Sequence, residues 1–149
     1  MVRLRVLIAI VVAGALPGCG GPSAQERAAS KAKVDVCSAT ADVGRRLGAL
    51  DALPASQLDP QQTVGEVTGI AVRLKQVRDA FPDLDAARAA QLRTAEAAFQ
   101  EDFGTVVSGL VGGTTLGTEN IGKDLAPALD RLDRRWQATL GRATGAWCR

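Results

Sequence analysis

The chain contains no histidine at all. That absence removes the usual general base near neutral pH and the commonest metal ligand, so Ser-His-Asp and Cys-His catalysis are excluded. Aromatic residues are nearly as scarce, limited to Phe81, Phe99, Phe103, Trp136 and Trp147. No apolar run approaches the roughly 20 residues that span a bilayer as a helix. No segment alternates apolar and polar residues with the period of two expected of a half-buried strand. Metal, cofactor and β-sheet readings all lose their support at this point, and no cofactor is expected.

Helical periodicity, by contrast, runs through most of the 149 residues. Val36, Val43, Leu47 and Leu50 lie on one face of a first helix that ends near Leu53-Pro54. Asp59-Pro60-Gln61-Gln62 opens a second, because Asp59 can cap it and Pro60 suits its first position. Its stripe is Val67, Ile70, Leu74, Val77 and Phe81, at spacings of three and four. Pro82-Asp83 then breaks the chain, with Asp83 as the expected cap of a third helix carrying Leu92, Ala95, Phe99, Phe103, Val106 and Leu110. Gly109 to Gly122 is rich in glycine and threonine and reads as a loop. A fourth helix is expected from Asp124, with Pro127 in its first turn and a stripe of Leu125, Leu129, Leu132, Trp136, Leu140, Ala143 and Trp147. Asp130 and Arg134 add an exposed pair one turn apart. Four amphipathic helices with mostly short joints predict an all-α fold, an antiparallel up-down four-helix bundle.

The first 18 residues stand apart from that domain. Met1-Val2-Arg3-Leu4-Arg5 is positively charged, Val6 to Leu16 is apolar or small, and Pro17-Gly18-Cys19 follows. This is the layout of an export signal that is later removed. Leu16-Pro17-Gly18-Cys19 resembles the lipobox of bacterial lipoproteins, Leu-x-(Gly/Ala)-Cys. The resemblance implies that residues 1–18 are removed, that Cys19 carries the lipid, and that the protein sits at the outer face of the bacterial cell membrane. The alternative is an ordinary secretory signal cut nearby, with Cys19 a free thiol. Residues 19–33 are Gly, Pro, Ser, Ala and charged groups and read as a flexible tether, part of which fits a capping box at Ser23-Ala24-Gln25-Glu26. Fully extended at roughly 3.5 Å per residue it would reach about 50 Å. The domain itself is then residues 34–149.

Removal of the signal changes the charge balance. The whole chain has 18 Lys+Arg against 16 Asp+Glu, and Arg3 and Arg5 leave with the signal, so the mature protein has 16 of each. Net charge therefore gives no reason to propose nucleic acid or anionic phospholipid as a partner. With Cys19 assigned to lipid, Cys37 and Cys148 remain, and a pair in an exported protein reads as a disulfide. Two lone thiols are a poor metal-ligand set. Parity supports the pairing, because the start of the first helix meets the end of the last only when the number of antiparallel helices is even. Three helices would separate the cysteines by tens of ångströms, against the roughly 5 to 6 Å between Cα atoms that a disulfide needs.

Three further motifs have bland explanations. Gly117-Thr118-Glu119-Asn120-Ile121-Gly122-Lys123-Asp124 follows the phosphate-loop pattern until its last position, where Asp124 replaces the magnesium-binding hydroxyl. No preceding strand is evident, so an ordinary loop is expected. The densest carboxylates, Asp83-x-Asp85 and Glu101-Asp102, read as a cap and a solvated polar face. A carboxylate-only hydrolase is the one enzymatic chemistry left open, and the expectation is a protein that is not an enzyme. Trp136 and Trp147 are expected in the core, with Trp147 covering the disulfide.

Beyond the lipobox, residues 34–149 resemble small actinobacterial envelope lipoproteins without an assigned activity. The likeness lies in an Ala/Arg/Asp-rich helical body with a cysteine at each end, here Asp35-Val36-Cys37-Ser38-Ala39 and Trp147-Cys148. It implies host and compartment only. The expected role is a membrane-anchored, non-catalytic interaction or structural module with an envelope protein partner. The alternative is a carrier holding a lipid or other apolar ligand in a groove lined by Phe99, Phe103 and Trp136.

Overall fold

The computed structural model describes residues 21–116 and 121–149. The expected export signal, residues 1–18, and Cys19 lie outside the described residues, as does the start of the phosphate-loop lookalike. Among the described residues the fold is all-helical, with no strand. Its long elements are α1 (Ala24–Asp51), α2 (Pro60–Asp79), α3 (Ala86–Leu116) and α4 (Ile121–Trp136). A π-helical turn, Gln137–Gly141, carries α4 into a last short segment, α5 (Arg142–Gly145). Short 3-10 turns, Ala55–Gln57 and Phe81–Asp83, serve the first two connections. No described helix is long and apolar enough to cross a membrane.

Helix starts are set by local chemistry, and some differ from expectation. Ser23 and Glu26 form the full capping box, each side chain accepting from the other's backbone N–H. The segment expected to be tether is therefore helical from Ala24, and Ala32 is already buried. Asp59 caps α2 by accepting from the Gln62 N–H at 2.8 Å. At α3 the cap is Asp85, which accepts from the Arg88 N–H at 2.8 Å, and Asp83 belongs to the preceding 3-10 turn. The proline at 82 needs that turn before a helix can restart, which moves the cap two residues on.

The glycine-rich stretch is the larger correction. α3 continues through Gly109 and Gly112 to Leu116, and α4 starts at Ile121. Pro127 consequently sits in the second turn of α4. Each helical glycine costs up to about 1 kcal/mol relative to alanine, so Val106 and Leu110 must hold this stretch by burial. Both are almost fully buried.

The predicted stripes form the core. Val36, Val43, Leu47 and Leu50 of α1 meet Val67, Ile70, Leu74 and Val77 of α2, Leu92, Phe99 and Val106 of α3, and Leu125, Leu129 and Leu132 of α4. Two glycines are there for close approach. A Cβ at Gly44 would stand 3.0 Å from the Trp136 Nε1, and one at Gly69 would stand 2.7 Å from an Arg46 guanidinium nitrogen. The π turn explains the end of the last stripe. Its wider turn lets Trp136, Leu140 and Thr144 share one buried face at successive spacings of four, a face from which a plain α-helix would drift. Thr144 thus takes the inward place expected of Ala143, and its hydroxyl donates to the Leu140 carbonyl at 2.7 Å.

Candidate functional site

Two chain ends meet at one place. Cys37, in the fourth turn of α1, is bonded to Cys148, just beyond α5, with Cα atoms 5.5 Å apart. The tail is brought there by the Trp147 and Cys148 N–H groups, which both donate to the Thr144 carbonyl. Trp147 is half-buried, and two cations reach its ring. The Lys33 Nζ lies 5.7 Å from the ring centroid and the Arg88 guanidinium carbon 5.0 Å from it. Lys33 stands one turn before Cys37 on α1, and Arg88 belongs to the first turn of α3. The disulfide and the neighbouring indole therefore tie α1, α3 and the tail together, the first covalently and the second by cation–π contact.

The residues proposed to line a groove are brought together in the core. Phe99 and Phe103 stack with centroids 5.9 Å apart, and Trp136 meets Phe99 edge-on at 5.7 Å. All three are buried. Edge-to-face and offset contacts of this kind contribute roughly 0.5–1.5 kcal/mol beyond the area they bury.

Two buried carboxylates were missed by reading the stripes. Asp42 of α1 accepts from Arg46 at 3.0 Å and from Arg73 of α2 at 2.8 Å, and it is paired with Arg45 as well. Arg46 continues the network to Glu66 at 2.6 Å, crossing the bare backbone at Gly69. The Arg73 and Arg46 guanidinium groups lower the Asp42 pKa to about 2, so this carboxylate is held ionised. Glu96 of α3 is the opposite case. It accepts from Arg78 of α2 at 2.9 Å and from Gln100 at 2.8 Å. Burial nonetheless pushes its pKa up, and the arginine offsets only part of that. A signal for Glu96 existed, since Leu92, Glu96, Phe99 and Phe103 are spaced four, three and four, placing a carboxylate within a core stripe. Asp42 had a weaker one, two arginines three and four residues downstream.

The surface carboxylates behave as solvated ion pairs. Asp102 accepts from Arg135 of α4 at 2.5 Å, and Asp130 pairs with Arg134 at 2.7 Å. Asp102, Thr105, Val106, Ala128 and Arg131 line a cleft of about 120 Å³ between α3 and α4. That volume takes a few water molecules and is far below the 300–1,000 Å³ usual for a small-molecule site.

Comparison with known proteins returns no matching protein family, curated protein or solved structure.

Proposed function

We propose that the chain is a lipid-anchored extracytoplasmic module of a bacterial cell envelope, acting without catalysis through contact with an envelope partner. The observation that carries this reading is the Cys37–Cys148 bond, in a chain that opens with a lipobox ending at Cys19. Disulfides persist in oxidising compartments, and an exported protein meets one. Asp42, Glu96, Asp102 and Asp130 are ion-paired and Asp59 and Asp85 cap helices, which favours a structural role for these groups.

The same reading takes α1–α4 as an antiparallel up-down bundle. It is supported by how cross-contacts advance along the chain. Asp42 reaches Arg73 while the later Arg46 reaches the earlier Glu66, so α1 and α2 run in opposite senses. Asp102 reaches Arg135, while Thr105 and Val106 share a cleft with Ala128 and Arg131. Cys37 meets Cys148, and Gly44 meets Trp136.

Fractionation of cells tests the anchor. Cys19→Ala should move the protein from the membrane fraction to the soluble fraction, and unchanged membrane retention would sink the reading. Crosslinking in intact cells followed by pulldown tests the partner, and recovery of only lipoprotein-sorting machinery would count against one. The carrier reading requires Phe99, Phe103 and Trp136 to part around a ligand. Native mass spectrometry of the purified protein should show its bare mass, and a stably bound lipid would favour the carrier instead.

A further inference from the structure

Net neutrality of the mature chain conceals an uneven distribution. Most basic side chains of the described residues sit against a carboxylate, as in Lys31–Asp35, Lys75–Asp79 and Arg134–Asp130. Among the described residues, Arg27, Lys33, Arg88, Arg93, Arg131, Arg142 and Arg149 have no side-chain carboxylate within ion-pair distance. Apart from Arg131 of α4, they belong to the early turns of α1, the early turns of α3, α5 and the tail after it. These are the segments that meet at the disulfide. Two of the cations, Lys33 and Arg88, are held over Trp147, and Arg93 lies over Phe81 at 5.4 Å. Of the carboxylates near the same end, Asp35 and Asp79 are matched by lysines, while Glu26 and Asp85, which cap α1 and α3, keep their negative charge. Asp83 adds a third, and the three are fewer than the cations left without a carboxylate.

The second observation is reach. Because Ser23 caps α1, only Gly20, Gly21 and Pro22 separate Cys19 from a rigid helix. Four residue steps span at most about 14 Å. Ten helical residues from Ser23 to Lys33 add about 15 Å. A lipid on Cys19 would thus hold the disulfide-bonded end within about 30 Å of the bilayer and allow it to tilt into contact. Half-buried tryptophan flanked by lysine and arginine is the chemistry that favours the headgroup layer.

We propose that the Trp147–Lys33–Arg88 cluster is a docking surface for the anionic headgroups of the membrane that carries the anchor. The proposal rests on the lipid-anchor reading, and it fixes an orientation in which the Ala52–Asp59 connection faces away from the membrane.

A chemical anchor separates the two ideas. The chain starting at Cys19 keeps the whole core, Ala32 to Leu140, and the disulfide, so its one free thiol can be coupled to maleimide-bearing vesicles. Brominated phosphatidylcholine, with or without phosphatidylglycerol, then reports proximity by quenching Trp147, while Trp136 is shielded in the core. Quenching is expected with phosphatidylglycerol and should fall toward the neutral-vesicle level in the Lys33→Gln/Arg88→Gln variant. At roughly fivefold per cation, the ratio of docked to undocked protein drops about 30-fold. Salt near 1 M should abolish the unmutated protein's quenching, which needs no variant to fold. Trp147→Phe gives the background, and Arg131→Gln should behave as the unmutated protein. Equal quenching in neutral and anionic vesicles, or quenching indifferent to salt or to Lys33→Gln/Arg88→Gln, would overturn the proposal. Because coupling is chemical, that outcome says nothing against the anchor, which Cys19→Ala fractionation tests alone.

Discussion

The two halves of α3 (Ala86–Leu116) differ sharply in charge and in what holds them. From Ala86 to Asp102 the helix carries Arg88, Arg93, Glu96, Glu101 and Asp102, and it is tied laterally by the Arg78–Glu96 pair and by Arg88 over Trp147. From Phe103 to Leu116 there is no charged residue at all, and Gly104, Gly109, Gly112 and Gly113 interrupt a run of small and apolar side chains. The first half is secured by directional contacts to neighbouring elements. The second is secured by the burial of Phe103, Val106 and Leu110. The lesson is that one continuous helix can be stabilised in two ways, and that helix propensity alone describes neither.

The largest way to break this contrast is to open the disulfide. Cys37→Ala/Cys148→Ala removes a clasp across a sequence separation of 111 residues, worth about 5 kcal/mol on the chain-entropy account. The expected fall in melting temperature is about 10–20 °C by differential scanning calorimetry. Hydrogen exchange should rise at Arg88 and its neighbours, because Trp147 would no longer be held over them. A shift under about 3 °C would mean that the cation–π contacts and the core already hold the tail.

Next in size are the two buried carboxylates, whose pH effects have opposite signs. The Asp42 pKa is depressed to about 2, so its contribution is present above the unfolded-state value near 3.9 and is lost as pH falls through the folded value. Asp42→Asn should therefore destabilise at pH 7 and flatten the loss of stability between about pH 4 and pH 2. The Glu96 pKa is raised, so the folded state holds that proton more tightly and stability declines as pH rises from the unfolded-state value near 4.3 through the folded one. Glu96→Gln keeps a hydrogen-bonding partner for Arg78 and should remove that decline. Denaturant melts across pH 2 to 7 would expose either error, since identical pH profiles for a variant and the parent contradict the assignment.

The smallest expected effect sharpens the contrast from the other side. A Cβ at Gly104 or Gly109 meets no atom within 4 Å, so alanine at either should stabilise by about 0.5–1 kcal/mol. Gly44→Ala has the same propensity gain but presses on Trp136, so it should stabilise less or destabilise. Chemical denaturation midpoints rank the three, and a gain at Gly44 equal to that at Gly104 would refute the packing argument.

The core was legible because burial follows periodicity. Of the residues assigned to the α2 stripe, Val67, Ile70, Leu74, Val77 and Phe81 are all buried. Glycine content misled at 109–116, since a glycine-rich sequence is helix-averse on its own but can be carried by buried neighbours. The cap shifted from Asp83 to Asp85 because both residues can cap and only the 3-10 turn chooses between them. Asp42 and Glu96 escaped because a charged residue reads as surface until its partners, thirty-one residues away for Arg73 and eighteen for Arg78, are placed beside it.

By itself the sequence determined the helical class, the apolar stripes and the cysteine pair, since each depends on local spacing or on counting. The tertiary structure alone decided which cations stay without a carboxylate and which carboxylates are buried. Those depend on which side chains meet across helices, and electrostatic energy is set by distance and burial rather than by composition. A chain with nearly balanced charge, 18 Lys+Arg against 16 Asp+Glu, therefore still presents an end where Lys33 and Arg88 converge on Trp147.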